Sequence, residues 1–336
     1  MKHVTIRALA RELNLSVSTI SKALRDSYEI SAETKQRVLA LAATLNYTPN
    51  PYASSLRGKK SRTIGVVVPE VADSFFSLAI NGIESVMKAM GYHVLICLTH
   101  EQFDNEKLIL KEFQSGRVDG VLLSVSRETL SGEHIRDLAA QDVPVVFFDR
   151  VLDEVQAARI VTNDFESGYA ATAHLVENGC REIVYLGISE SLSISNRRME
   201  GYRQALADHR LPFRTGNVVA CTNDAAENYK TVKKMLQRKA PRPDGIVASV
   251  EKLTTTVYQA CNDLRLRIPS DVKVVCFSNL EIATILHPSL TTITQPAFEM
   301  GRAAASLLLK AIKGNNVMSA EMVIPSVLIP RGSSTR

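Results

Sequence analysis

VTIRALARELNLSVSTISKALR, residues 4–25, reads as two short helices joined by a tight turn. Thr5 is placed to cap the first helix, because a hydroxyl just before a helix accepts from an early N–H that has no partner inside it. Ile6, Leu9, Ala10 and Leu13 follow at helical spacing. Asn14 falls in the turn, and asparagine tolerates the left-handed backbone that such turns often need. Ser16 is placed to cap a second helix with the apolar stripe Val17, Ile20, Ala23 and Leu24. Ser31 is placed to cap a third, with Val38, Leu41, Ala42 and Leu45 on one face. With Ile20, Ala23 and Leu24 turned to a small core, about 100° per residue puts Ser18, Ser21, Lys22 and Arg25 on the opposite face. Hydroxyls and cations on a second helix after a tight turn are what a recognition helix offers the major groove. An ordinary solvated helix face carries the same residue types, so the spacing of the whole unit carries the reading.

The charge distribution agrees. Residues 1–62 hold eleven Lys/Arg and four Asp/Glu, a net +7, while the remainder holds 29 basic and 31 acidic residues, a net −2. A basic excess confined to one segment predicts a polyanionic partner for that segment. The 336 residues exceed one ordinary core and predict two or three domains, and 45% hydrophobic with 22% charged residues is globular composition. No run approaches the roughly 18 apolar residues that span a bilayer. MKHVTIRALARELN is charged throughout and lacks a signal-peptide pattern, so a cytoplasmic location without membrane attachment is expected. The five cysteines, Cys97, Cys180, Cys221, Cys261 and Cys276, are widely spaced without metal-finger intervals, and read as buried free thiols.

After Tyr47 comes TPNPYASSLRGKKSR (48–62). Asn50 can cap and Pro51 suits a first helical turn, but so short and polar a helix is not stable alone. By composition the segment is a disordered tether.

From residue 62 apolar runs alternate with amphipathic segments. Strands are predicted at 64–68, 93–98, 120–125, 143–148, 182–187, 218–221, 245–250 and 272–277, with helices such as 74–90, 166–178 and 224–238 between them. That alternation predicts parallel sheets covered on both faces, and some 270 residues predict two linked α/β lobes. Ligands in such sheets bind beyond the C-terminal ends of strands. Those ends supply Phe75 and Phe76, able to stack on a flat ligand or pack in the core, and Asp149, able to accept ligand hydroxyls or cap a helix. Ser278 and Asn279 end the last predicted strand.

VTIRALARELNLSVSTISKAL resembles the reader of the LacI/GalR family of bacterial repressors. The likeness continues in family order through YTPNPYASSL, IGVVVPEVADSFF, RVDGVLL, PVVFFDR, ATAHLVENGCREI, RRMEGYRQAL and SLTTITQP, and so spans almost the whole chain. It implies a helix-turn-helix headpiece (1–48), a hinge helix and linker (49–61), and a two-lobed sensor like a periplasmic sugar-binding protein (62–336). The chain would cross between lobes near 162, 292 and 322, giving one lobe of about 62–162 with 293–322 and another of 163–292 with 323–336. The implied DNA-contacting set is Thr5, Ser16, Val17, Ser18, Thr19, Ser21, Lys22 and Arg25 in the reader. Asn50, Ser54, Leu56 and Arg57 join it from the hinge. In relatives a hinge leucine, here Leu56, wedges into the minor groove and kinks the DNA, at a cost of a few kcal/mol that closer wrapping offsets. The implied effector set is Phe75, Phe76, Asp149, Asn163, Asp164, Arg198 and Ser278, with Arg198 matching the family's pocket arginine.

Three departures stand out. Ala8 replaces a frequent acid in the first helix. Ser278 stands where many relatives carry an acid, and Leu192 and Ile194 fall where some place polar ligand contacts. The resemblance implies a homodimer on palindromic operator DNA and a small-molecule effector, a sugar or sugar derivative. A phosphorylated ligand is open because Arg198 can bind phosphate. PSVLIPRGSSTR (325–336) has no leucine heptad, so a tetramerising coiled coil is not expected. A solute-binding protein without gene control suits the sensor alone, but the basic reader and absent signal peptide oppose it. An enzyme would need a catalytic motif, and GxSxG, P-loop, HExxH and GxGxxG are all missing. The seven histidines form no ligand-spaced cluster, so no metal or cofactor is expected.

Overall fold

The computed structural model describes residues 4–47, 61–189, 191–239, 241–315, 317 and 319–335. It divides into two units, Met1–Ser61 and Arg62–Arg336.

In the first unit, helices α1 (Ile6–Glu12), α2 (Val17–Leu24) and α3 (Ala32–Thr44) surround a core of Leu9, Ala10, Ile20, Ala23, Val38 and Ala42. Each helix begins at a hydroxyl cap. Thr5 accepts from the Ala8 N–H, Ser16 from Thr19 at 3.0 Å, and Ser31 from Thr34. Ala8, where an acid is frequent in relatives, thus serves the cap through its backbone, and the first turn of α1 carries no acid. Asn14 takes φ 53°, the left-handed conformation that ends α1. Two expectations change. Val17 and Leu45 stand outside the core. Val17 is 38% exposed, because a first-turn residue of α2 overhangs the rim of so small a core.

The second unit holds two six-stranded sheets with helices on both faces. The first lobe contains β1 (Thr63–Val68), α4 (Ser74–Ala89), β2 (His93–Leu98), α5 (Phe103–Phe113), β3 (Val121–Leu123), α6 (Glu133–Ala139), β4 (Val145–Phe148) and β5 (Ala158–Val161). The second contains α7 (Asp164–Glu177), β6 (Ile183–Gly187), α8 (Ser193–Asp208), β7 (Val218–Ala220), α9 (Ala225–Leu236), β8 (Gly245–Ala248), α10 (Leu253–Asp263), β9 (Lys273–Phe277) and β10 (Thr291–Thr294). Helix α11 (Ala297–Ile312) and strand β11 (Glu321–Val323) return to the first lobe, and β12 (Val327–Ile329) ends in the second. Strand orders are β11-β5-β4-β3-β1-β2 and β12-β10-β9-β8-β6-β7. The sheets are parallel as expected, with one antiparallel edge pairing, β12 on β10.

The chain passes between lobes after Val161, after Thr294 and after Val323. The second passage lies beyond the expected 292, because Ile293 and Thr294 pair with β12 in the second sheet. The expected strands omit β5, β10, β11 and β12, which lack the longer apolar runs that mark the equally short β3 and β7. In the second lobe α7 and α8 pack backbone to backbone. A Cβ on Gly168 would lie 2.1 Å from the Arg198 carbonyl oxygen, and one on Gly201 2.0 Å from that of Phe165. This contact fixes the helix that carries Arg198.

Candidate functional site

The reader face of α2 is solvent-facing and lightly tied. Ser18 and Arg25 are exposed, and Ser21 and Lys22 are partly so. Lys22 is ion-paired with Glu29. Arg25 folds back on Ser21, donating Nε to the carbonyl at 3.1 Å and Nη2 to Oγ at 3.0 Å. Exposed pairs of this kind contribute about 0–1 kcal/mol, so a phosphate or base edge can displace them at little cost. Thr5 and Ser16 spend their side chains on caps. Ser16 also meets Ser18 Oγ at 2.7 Å and Thr19 Oγ1 at 2.8 Å. Val17 presents an exposed apolar surface beside them. Asn50, Ser54, Leu56 and Arg57 lie outside the described residues.

The second site is the cleft between the lobes. Of the predicted effector residues, Phe75, Phe76, Asp149, Arg198 and Ser278 line it. Phe75 and Phe76 start α4, whose cap Asp73 accepts from the Phe75 N–H at 2.9 Å. Their rings meet edge to face with centroids 5.3 Å apart and belong to the first lobe's core, so they serve as cleft wall and core packing at once. Asp149 follows β4 with φ 62° and accepts from Gln295 Nε2 at 3.2 Å. Burial pushes its carboxyl up to about 6 against the opposing pull of Arg150 and Arg198. Burial and the charge of Glu251 likewise raise Asp73.

Arg198 is 3% exposed. Its Nε donates to Asp164 Oδ1 at 2.7 Å, its Nη1 to the Ser249 carbonyl at 2.8 Å, and its Cζ lies 4.3 Å from the Phe277 ring centroid. Burial opposes its charge, but Asp164 and Asp149 outweigh that and bind its proton more firmly than usual. Nη2 is buried without a hydrogen-bond partner. Asp164 therefore stands behind Arg198 as its counter-charge. Asn163 is also diverted from the cleft. Its Oδ1 accepts from the Ser326 N–H at 2.8 Å and from Ser167 at 3.2 Å, tying two interlobe passages together.

Several cleft residues escaped the sequence reading. Arg150 forms a two-oxygen pair with Glu101 at 2.9 and 2.8 Å. Glu251 accepts from Ser278 Oγ at 2.9 Å, from the Asn279 N–H at 2.8 Å, and across the cleft from the Ser74 N–H at 3.1 Å. An acid thus does serve the position of Ser278, supplied from 27 residues upstream. Arg150 and Gln295 stood inside quoted family runs and could have been picked out; Glu251 had no sequence signal. Leu192 and Ile194 are buried against Val67, Val125, Phe147 and Val151 of the first lobe. Where some relatives place polar ligand contacts, this chain has an apolar bridge between lobes. Nearby, Ser191 Oγ donates to the Arg127 carbonyl at 2.7 Å.

Residues 5–50 match the model of bacterial regulatory proteins of the lacI family, and residues 172–334 match a periplasmic binding protein-like domain. The chain is 30% identical over 315 residues to the HTH-type transcriptional repressor PurR of Vibrio campbellii, covering 92% of each. It is 29% identical over 327 residues to the ribose operon repressor of Halalkalibacterium halodurans, covering 97% of this chain and 96% of that one. Among solved structures, a lac repressor dimer bound to operator and an anti-inducer superposes with TM-score 0.86 over the whole of both chains at 24% identity, a likeness of fold. A LacI family regulator from Enterococcus faecium with bound ribose gives TM-score 0.73 at 26% identity, covering 81% of this chain and 98% of that one.

Proposed function

The chain belongs to the lacI family of bacterial regulatory proteins, and from that premise we propose that it is a sequence-specific repressor whose operator affinity is set by a small effector in the interlobe cleft. The observation that carries the reading is the pairing, in one chain, of a capped helix-turn-helix bearing a displaceable hydroxyl-and-cation face with a cleft holding a buried, incompletely bonded guanidinium. Ser18, Ser21, Lys22 and Arg25 read the major groove, while Thr5, Ser16, Val17 and Thr19 fix the helix and meet the backbone. Asn50, Ser54, Leu56 and Arg57 form the hinge, with Leu56 as the minor-groove wedge. A single reader covers only a half-site, so a homodimer grips a palindrome.

In the cleft, Phe75 and Phe76 wall the ligand, and Asp149, Arg198 and Ser278 with its partner Glu251 bond it. Ligand and DNA then bias one equilibrium reciprocally, with a coupling of about 1–3 kcal/mol. The protein works where the DNA is, in the cytoplasm, and no catalytic step is assigned to it. Relatives are named as a ribose operon repressor and the HTH-type transcriptional repressor PurR, which supports an effector among sugars and related metabolites. The test is fluorescence anisotropy on DNA flanking its own gene, with and without a sugar panel, across a salt series. The expected result is tight palindrome-specific binding that falls steeply with salt and shifts with one ligand. Salt-insensitive binding, or none to any palindrome, would overturn the reading.

A further inference from the structure

The cleft carries more negative charge than a neutral ligand needs. Asp73, Asp149 and Glu251 line it, facing the guanidiniums of Arg150 and Arg198. Each guanidinium already has a carboxylate partner. Arg150 Nη1 meets both oxygens of Glu101 with its Nε 3.9 Å from Asp149, and Arg198 Nε meets Asp164 while its Nη2 stays unbonded. Five carboxylates thus share two guanidiniums, and Lys252, 4.0 Å from Glu70, divides its charge between Glu70 and Glu101. A partly buried cleft holds such an excess only at a cost, which a cationic ligand would offset. Burial lifts Asp149 to about 6, and burial with the charge of Glu251 raises Asp73.

We infer that the effector is a protonated, hydroxyl-bearing amine of amino-sugar size, an assignment that rests on reading this cleft as the effector site. An ammonium offers three donors and no acceptor. Its matching acceptors are the carboxylates of Asp149 and Asp73 and Asn279 Oδ1, a buried oxygen without a partner. A ligand hydroxyl supplies the acceptor that Arg198 Nη2 lacks. A phosphate ester would instead add about 1.5 to 2 negative charges where five carboxylates already outnumber two guanidiniums. The phosphorylated ligand left open by the sequence is therefore the form the cleft rejects.

The experiment is calorimetric titration of the full chain at neutral pH with glucosamine, galactosamine and mannosamine. Each is matched with its parent hexose, its N-acetyl derivative and its 6-phosphate. At least one amino sugar is expected to bind ten or more times tighter than its three counterparts, and Asp149→Asn to erase that preference while the variant stays folded by its melting transition. A parent hexose or phosphate that binds as tightly, an amine preference that survives Asp149→Asn, or no amino sugar binding at all would each overturn the assignment. Operator anisotropy on the same preparation keeps the two readings apart. A neutral hexose that binds and shifts operator affinity sinks the amine but leaves the regulator standing, whereas a folded chain that ignores operator DNA sinks the regulator.

Discussion

The reader helix and the cleft handle charge in opposite ways. On α2, Lys22 and Arg25 lie at the surface and rest on partners within seven residues, Glu29 and Ser21. In the cleft, Arg198 is 3% exposed and bonded to Asp164, 34 residues away, and to the Ser249 carbonyl, 51 residues away. Surface pairs are weak and exchangeable, which suits a face that must trade partners for DNA. Buried pairs lock geometry and make any unbalanced charge expensive, which suits a site that must answer to one ligand.

The largest break in that contrast is Asp164→Ala. It strands the Arg198 guanidinium and is expected to destabilise the sensor by about 3–5 kcal/mol, read by urea denaturation. On the reader side, Ile20→Ala empties a fully buried site and is expected to cost about 2–5 kcal/mol. Operator binding should then vanish while ligand binding to the cleft survives. Loss of ligand binding in that variant would show that the two sites are not separable as described.

Asp149→Asn sharpens the comparison, because here removing a charge should help stability. The folded chain holds the Asp149 proton more tightly than an ordinary carboxyl at 3.8, so its ionised form carries a penalty. That penalty is absent below about pH 4, grows as pH rises towards 6, and is complete at neutral pH, where the shift corresponds to about 3 kcal/mol. The asparagine variant is expected to melt higher than the parent at pH 7.5 without ligand, and the gain to vanish near pH 4. A gain independent of pH would contradict the assignment of the penalty to ionisation. Lys22→Ala is the smallest change. Folding stability should move by no more than about 1 kcal/mol, since the Lys22–Glu29 pair is exposed. Operator affinity should fall by about 1–3 kcal/mol, measured at fixed salt.

The same contrast explains what the sequence could say. Caps at Thr5, Ser16 and Ser31 and the left-handed turn at Asn14 depend on neighbours within four residues, so they were legible and the structure contains them. Val17 and Leu45 stand outside the core, since pattern does not reveal how small the core is. The long strands were legible from apolar runs. Strands β11 and β12 were not, because they lie in no such run and pairing with β5 and β10 defines them. In the cleft, strand ends pointed to Phe75, Phe76, Asp149 and Ser278, and the resemblance added Arg198. Asp164 and Asn163 were expected to face ligand, yet one backs Arg198 and the other ties the passages between lobes. Glu251 reaches Ser74 from 177 residues away, a meeting no local pattern encodes.

The most direct test of the central claim is anisotropy of the full chain on its own promoter, beside a scrambled duplex of equal length, with the double variant Ser18→Ala/Lys22→Ala as control. The account predicts that the parent prefers the promoter by 10³-fold or more, and that the double variant loses most of that preference while keeping its salt-dependent binding to the scrambled duplex. Equal affinity of the parent for both duplexes, or a double variant that discriminates as well as the parent, would contradict it.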